Sequence, residues 1–330
     1  MLAFIARRLA LAVLTLWALS VLSFLIIQLP PGDFVTMYIS FLTETGSDIS
    51  DEHVEQLREL YGLNDPFYLQ YSKWIRQVLV GNFGMSMEWR RPVIEVIGDR
   101  LALTMVVAIA ALVFTWIVAL PIGIYSALRQ YSIGDYAFTV IGYIGLAVPS
   151  FLLALVLMYI GFVMFNMNIG GLFSPRYETA PWSLAKAWDL LKHLPIPAVV
   201  LGTAAAAPMI RIMRANLLDE LHKPYVVSAR ARGIPERHVI LKYPVRVALN
   251  PFASTLGYML PYIVSGSIIV SIVLGLPTVG PLLLRALVAQ DMFLAGAIVL
   301  LLGVMTVIGT LISDLVLAWL DPRIRLERQS

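Results

Sequence analysis

The chain has no cysteine. A disulfide framework, a thiolate metal site, a covalent haem attachment and a cysteine nucleophile are therefore excluded. Charge is scarce as well: 14% of residues are Asp, Glu, Lys or Arg, against roughly 25% in a soluble domain. The four histidines, His53, His193, His222 and His238, all lie outside the apolar stretches, and His-Glu-x-x-His does not occur. No metal site is expected. Gly-x-x-x-x-Gly-Lys-[Ser/Thr] is also missing. That loop cradles nucleotide phosphates with backbone amides and a lysine, so this chain cannot hydrolyse ATP by that chemistry. No internal repeat, low-complexity tract or flexible linker divides the sequence, and residues 1–330 read as one membrane domain.

What is present is apolar. Hydrophobic residues make up 59% of the chain and mean hydropathy is +0.81. Six stretches lack formal charge: Leu9–Gln28, Leu101–Leu128, Tyr136–Phe165, a short one at Leu194–Ile210, one within Val247–Leu284, and Met292–Ser313 continuing toward Leu320. A membrane-spanning helix needs about 20 residues. A central Arg, Lys or Asp costs roughly 2.5–3.5 kcal/mol on insertion, which explains why the stretches are clean. The first follows Arg7 and Arg8, as a secretory signal would. Its apolar run exceeds the roughly 7–15 residues of a signal core, and it exits into Leu29-Pro-Pro-Gly-Asp33, so an uncleaved span is expected. The fifth stretch is too long for one straight span. A helix over Val247–Val273 is expected there, followed by an irregular, partly inserted loop around Leu276–Pro281. Irregular backbone at membrane depth must be covered by protein or line a cavity. That loop is thus either a pathway element or a simple outer turn.

Orientation follows from basic residues. With the N-terminus in the cytoplasm, the cytoplasmic segments hold 14 of the 24 Lys and Arg residues, including Arg129, Arg211, Arg214, Lys223, Lys242, Arg246 and Arg323. This matches the positive-inside rule and places both termini in the cytoplasm of a multi-pass plasma (bacterial inner) membrane protein. Residues 30–100 then lie outside. Ser50 is a helix cap, with Asp51 and Glu52 at the positive end. Asp65-Pro66 starts a second helix carrying Phe67, Tyr71, Trp74, Ile75 and Val78 on one side. Residues 167–193, with Trp182 and Trp188, form a second outer segment. Both segments fit a hairpin packed on the bilayer surface or a platform for a soluble partner.

One basic segment, Tyr225-Val-Val-Ser-Ala-Arg-Ala-Arg-Gly-Ile-Pro-Glu-Arg-His, interrupts the apolar pattern. It reads as helix, break, helix: Tyr225–Arg232 forms the first, Gly233 fits the left-handed position past its end, and Pro235 suits the first turn of the next. A basic run alone satisfies the positive-inside rule and nothing more. The Ala229-x-x-x-Gly233-x-Pro235 spacing, however, resembles the cytoplasmic coupling loop of importer-type ABC permeases, with Val227 and Ser228 replacing the usual Glu-Ala. Leu29-Pro-Pro-Gly-Asp33, Tyr61-Gly-Leu-Asn-Asp-Pro66, Leu276-Pro-Thr-Val-Gly280 and Ala318-Trp-Leu-Asp-Pro-Arg-Ile-Arg325 resemble the oligopeptide/dipeptide branch of that family. The resemblance covers nearly the whole chain.

The resemblance implies an all-α integral membrane protein of six transmembrane helices, with an outer helical hairpin and a coupling loop over residues 211–246. It implies no catalytic role for this chain and no cofactor bound by it. ATP and Mg2+ would sit on two separate ATPase subunits. A second homologous permease subunit, an extracytoplasmic solute-binding protein and membrane lipid would be the other partners, with no nucleic acid. Tyr225, Ser228, Ala229, Arg230, Arg232, Gly233, Glu236 and Arg237 would form the ATPase-coupling site. Ser228 and Ala229 would allow close approach, and Arg230, Arg232 and Arg237 would meet acids on the ATPase.

Candidate pathway residues are Ser150, Ser265, Ser267, Pro277, Gly280 and Asp314, although serines in spans also join helices by hydrogen bonds. Asp314 is an intramembrane carboxylate and so a functional candidate, but it is equally suited to a structural pairing. The substrate would be peptides or related solutes. The Gly170-Gly-Leu-Phe-Ser-Pro175 and Gln290-Asp-Met-Phe293 segments look more like members that import oligosaccharides. An ion-coupled secondary transporter is a distant alternative, because such proteins show internal repeats and several ionisable residues near mid-membrane. An intramembrane enzyme would need a buried catalytic set, and no span supplies one.

Overall fold

A computed structural model describes residues 2–28, 54–56, 58–59, 64–166, 169–252, 254–255 and 268–320. Among them, all regular structure is helical apart from one isolated bridge between Met85 and Pro92. In chain order the helices are α1 (Leu2–Gln28), α2 (Phe67–Leu79), α3 (Val93–Leu128), α4 (Ile133–Ala147), α5 (Ser150–Phe165), α6 (Pro175–Glu178), α7 (Leu184–His193), α8 (Pro195–Leu221), α9 (Pro224–Ala231), α10 (Glu236–Lys242), α11 (Pro244–Ala248), α12 (Val279–Val288) and α13 (Met292–Leu320). Three of them are long and apolar enough to cross a membrane: Val93–Leu128, Pro195–Leu221 and Met292–Val316.

The contacts group into two compact units. The first comprises Met1–Ala102 and Thr278–Val307, the second Leu103–Pro277 and Ile308–Ser330. In the first unit the expected outer helix forms as α2. Its Trp74 is 2% exposed and stacks on Phe24, with ring centroids 5.7 Å apart. Tyr71, Ile75 and Val78 pack beside it. Gly296 lets the indole approach α13, since a Cβ there would lie 3.1 Å from the ring. The fully buried Asp291 caps α13 by accepting from Leu294 N at 3.1 Å. It also accepts from Ser86 Oγ at 2.5 Å and Glu88 N at 3.1 Å. One carboxylate thus ties the loop before α3 to the start of α13.

In the second unit α8 is the central element. Its buried residues include Val200, Ala205, Ala206, Ala207, Met213 and Leu217, and it packs on α4, α5 and α11. Small residues set the spacing. A Cβ on Gly202 would fall 2.5 Å from the Phe114 ring and 2.9 Å from the Ala111 carbonyl oxygen. One on Gly123 would fall 2.5 Å from Met213 Cβ, and one on Gly145 would fall 2.9 Å from Thr203 Cγ2. Lipid tails are as apolar as leucine, so helices in a bilayer associate largely through such close approach. In the segment 169–193, Lys186 donates to Ala180 O at 2.6 Å and sits over the Phe173 and Trp182 rings. Asp189 accepts from Ser174 N and Oγ, each at 2.7 Å. Trp182 and Trp188 remain exposed.

Several expected boundaries change. The stretch Tyr136–Phe165 is not one straight span: α4 and α5 meet at 101°. Pro149 is the cause. It lacks an N–H, and the residue before it, Val148, takes an extended conformation (φ −78°, ψ 121°), as a residue preceding proline prefers. The short fourth stretch does not stop at Ile210 but continues helically to Leu221, because Leu217 and Leu221 bury themselves and the intervening Arg214 finds a partner, described below. The second span starts at Val93, with non-helical backbone at Gly98 (φ 24°). The irregular loop after the fifth stretch is confined to 274–278, and Gly280 and Pro281 are already helical in α12. Residues 253 and 256–267 of the fifth stretch, Leu29–Asp33, Ser50–Glu52 and the tail from Asp321 lie outside the described residues. The sixth stretch matches α13.

Replacing Gly202 by valine should destabilise the purified protein by about 1–3 kcal/mol, the usual range for overpacking. Thermal unfolding followed by tryptophan fluorescence would reveal it. An unchanged midpoint would mean that α3 and α8 are not held by close approach at this glycine.

Candidate coupling hairpin

The candidate site is the hairpin hung from the end of α8. After His222, Lys223 is extended (φ −68°, ψ 147°), and Pro224 opens α9 as its first residue, where a missing N–H costs nothing. The helix ends at Ala231. Gly233 takes φ +72°, and its N–H bonds to Arg230 O at 2.9 Å. This is the left-handed turn the sequence predicts. Nothing lies within 4 Å of a Cβ built on Gly233, so its requirement is conformational rather than steric. Pro235 sits one position earlier than predicted, as the residue capping α10 (φ −54°, ψ 134°) rather than inside its first turn.

The two short helices enclose their own small core. Val226 and Ala229 of α9 bury against Val239 of α10, with Ile234 and Tyr243 packed on them. Arg230 closes the open side. Its Nη2 donates to Glu236 Oε1 at 2.8 Å, its Nε to both carboxylate oxygens at 3.1 and 3.2 Å, and its Nη1 reaches Leu221 O at 3.4 Å. The Arg230 hydrogen bond holds the Glu236 carboxyl below the usual carboxylate range, and that bond pushes the Arg230 guanidinium up. Tyr225 Oη donates to Glu220 Oε2, and burial together with this bond pushes the phenol well above its ordinary value.

The hairpin therefore divides the predicted coupling residues into two groups. Ala229 is core, while Arg230 and Glu236 clasp each other at the surface, their side chains 40% and 54% exposed. Ser228, Arg232 and Arg237 stay on the surface, with Tyr225 exposed in part. Sequence reasoning placed Ala229 at a docking face. The structure spends its small side chain on the approach of α10 instead. It missed the exposed apolar pair Val227 and Leu241, 55% and 63% exposed. Such residues outside an apolar stretch were the available signal.

A second feature also escaped the sequence. Asp135, 3% exposed, accepts from Arg214 Nη2 at 3.1 Å and from Tyr131 N at 3.0 Å. Its own N–H bonds to Ser132 Oγ at 3.2 Å, which caps α4. This ion pair joins the α3–α4 turn to the last two turns of α8, directly above the hairpin. Asp135 is buried but Arg214 is 32% exposed, so the pair is only half-buried and solvent screens part of its attraction. The Ser-x-x-Asp pattern at 132–135 was the readable sign.

The candidate pathway residues that fall among the described residues lie on separate elements. Ser150 is the first residue of α5, Pro277 lies in the extended segment before α12, Gly280 is buried in α12, and Asp314 is half-buried near the end of α13. Ser265 and Ser267 lie outside the described residues. A small cleft in the second unit is lined by other residues, among them Tyr143, Arg211 and Arg214. Among the described residues, no group of three or more His, Asp or Glu is placed to hold a metal.

Gly233→Val forces a β-branched residue into the left-handed region, at roughly 1–2 kcal/mol. Amide exchange should quicken across 224–242 while the spans stay protected; exchange equal to wild type would refute the strain. Acidification gives an independent check. Glu236 has a depressed folded-state pKa, so its contribution is present above the ordinary carboxylate value, about 4.3, and is lost as pH falls through the folded value. Hairpin protection should drop in that acidic window, and Glu236→Gln should remove the pH dependence.

With this geometry in view, comparison with known proteins is decisive. Residues 119–326 match the family described as the binding-protein-dependent transport system inner membrane component, and residues 1–108 match the N-terminal region of such membrane components. The chain is 35% identical over 325 residues to the oligopeptide transport system permease protein AppB of Bacillus subtilis, covering 98% of this chain and 99% of the relative. It is 30% identical over 325 residues to the glutathione transport system permease protein GsiC of Escherichia coli K12, with the same coverage. It is 28% identical over 328 residues to the dipeptide transport system permease protein DppB of Lactococcus lactis, covering 99% and 100%. The hairpin and the α8 helix that carries it both fall inside the larger matched region, and the chain belongs to the family of binding-protein-dependent transport system inner membrane components.

Proposed function

We propose that this permease subunit carries peptides across the membrane and is driven through the Pro224–Lys242 hairpin by a separate ATPase. The observation that carries this reading is the hairpin itself. It has a closed core of its own and an internal Arg230–Glu236 clasp, yet leaves Val227, Ser228, Arg232, Arg237 and Leu241 uncovered at the end of a deeply buried helix. A self-contained unit with an uncovered mixed face suits docking into a groove of another chain. The complex would comprise this subunit, a second homologous permease, two ATPase subunits holding ATP and Mg2+, and a solute-binding protein outside. Both termini would be cytoplasmic, and this chain would bind no nucleotide. Closure of the ATPase pair would move the hairpin as a rigid body and switch the bundle between two packings.

The relatives described above are named for oligopeptides, dipeptides and glutathione. These names support peptide over oligosaccharide as cargo. Uptake of labelled peptides and oligosaccharides, with this subunit present or deleted, separates the two. The account expects peptide uptake to be lost on deletion; loss of oligosaccharide uptake alone would reverse the assignment.

Ser228→Trp places a bulky side chain on the exposed face while sparing the hairpin core. Affinity purification of the tagged subunit should then recover at least about tenfold less ATPase, equivalent to 1.4 kcal/mol, with membrane insertion unchanged. Recovery equal to wild type would remove this face from the contact.

A further inference from the structure

The cleft beside the Asp135–Arg214 pair carries a charge that has no ion-pair partner among the described residues. It measures about 30 Å3, so it admits no more than about one or two water-sized groups, and a larger ligand meets its residues from outside, where Arg211 is exposed. Its polar side is formed by Ser126, Tyr143, Arg211 and Arg214, and its apolar side includes Phe138 and Leu146. Arg211 and Arg214 lie one turn apart on α8, about 24 and 28 Å along the axis from Pro195. The hydrocarbon layer is about 30 Å thick. Both guanidiniums therefore sit at the membrane boundary nearest the hairpin, at the depth of lipid headgroups.

Asp135 neutralises Arg214. Arg211 stands over the Tyr143 ring at 5.7 Å and, among the described residues, has no ion-pair partner. Outward from the cleft, α4 exposes Val140, Tyr143 and Leu146, an apolar track running from the headgroup level into the hydrocarbon. A cation in an apolar frame at this depth needs a counter-charge. The group always present there is a phosphodiester with acyl chains attached. Basic pockets between membrane helices on the cytoplasmic side hold anionic headgroups in this manner.

We propose that the α3–α4–α8 cleft binds the phosphodiester headgroup of an anionic phospholipid, held by Arg211 and supported by Arg214, with an acyl chain along α4. The site rests on the hairpin end being cytoplasmic, and it is independent of whether the hairpin docks on an ATPase. Ion pairing of Arg211 with the headgroup fixes α8 just above the Asp135 contact.

The assembled importer, purified in mild detergent after reconstitution with phosphatidylglycerol or phosphatidylcholine, provides the test. Native mass spectrometry reads the lipid retained per permease. Wild type should retain phosphatidylglycerol at least about fivefold better than phosphatidylcholine, the ratio expected from one basic residue at an anionic surface. Arg211→Gln should lose this preference and Arg211→Lys should keep most of it, with subunit composition unchanged. Equal retention of both lipids by wild type would overturn the proposal, and that arm needs no variant to fold. Full preference in Arg211→Gln would do the same. Displacement of the lipid by millimolar inorganic phosphate would mark a free-anion site instead. Loss of the second permease from Arg211→Gln would mark a protein contact.

Discussion

The close approach of α8 to its neighbours is the constraint from which the rest follows. A bilayer gives apolar helices no reason to prefer one another over lipid. What distinguishes α8 is the removal of side chains where backbones must meet: Gly202 against Ala111 and Phe114, Gly123 against Met213, and Gly145 against Thr203. Ala205, Ala206 and Ala207, also buried, keep α8 thin on successive faces. With its flanks set this way, α8 runs unbroken from Pro195 to Leu221. It delivers the hairpin at a fixed position and angle. A looser α8 would leave any force on the hairpin to dissipate as side-chain rearrangement.

The hairpin continues this logic in water. Eight residues of α9 and seven of α10 are too short to be stable alone. The Val226–Ala229–Val239 core and the Arg230–Glu236 clasp make them one body. Above them, the Asp135–Arg214 pair fixes the base of α8 to the α3–α4 turn. The arrangement links an exposed face in the aqueous phase to the helix packing of the second unit through rigid pieces, which is what a binding-protein-dependent permease needs if its bundle is switched from outside the membrane.

Legibility from sequence varied with the physical origin of each feature. The Phe67–Leu79 helix was readable because Tyr71, Trp74, Ile75 and Val78 recur at helical spacing, and their burial follows that pattern. The break at Gly233 was readable because backbone conformation is a local property. The bend at Pro149 had its signal in the proline, which removes a backbone bond; its size, 101°, is not a local property. The extension of α8 past Ile210 was hidden because Arg211 and Arg214 look like the end of a span; the carboxylate that meets Arg214, Asp135, lies on another helix and leaves no local signal. Ala229 shows the same dependence on partners. Its small size suits close approach, but which body approaches is decided by Val239, ten residues away across the turn. No single serine marks a pathway, since a lining surface is a property of packed helices.

The central claim is that the hairpin's outer face, and not its core, meets the ATPase. A photo-crosslinking amino acid placed singly at Ser228 and at Val239 in intact membranes tests it most directly. The account predicts an adduct between the Ser228 position and the ATPase chain, and only internal or no adducts from Val239. Absence of an ATPase adduct at Ser228, with an adduct to lipid or to another membrane chain in its place, would contradict it.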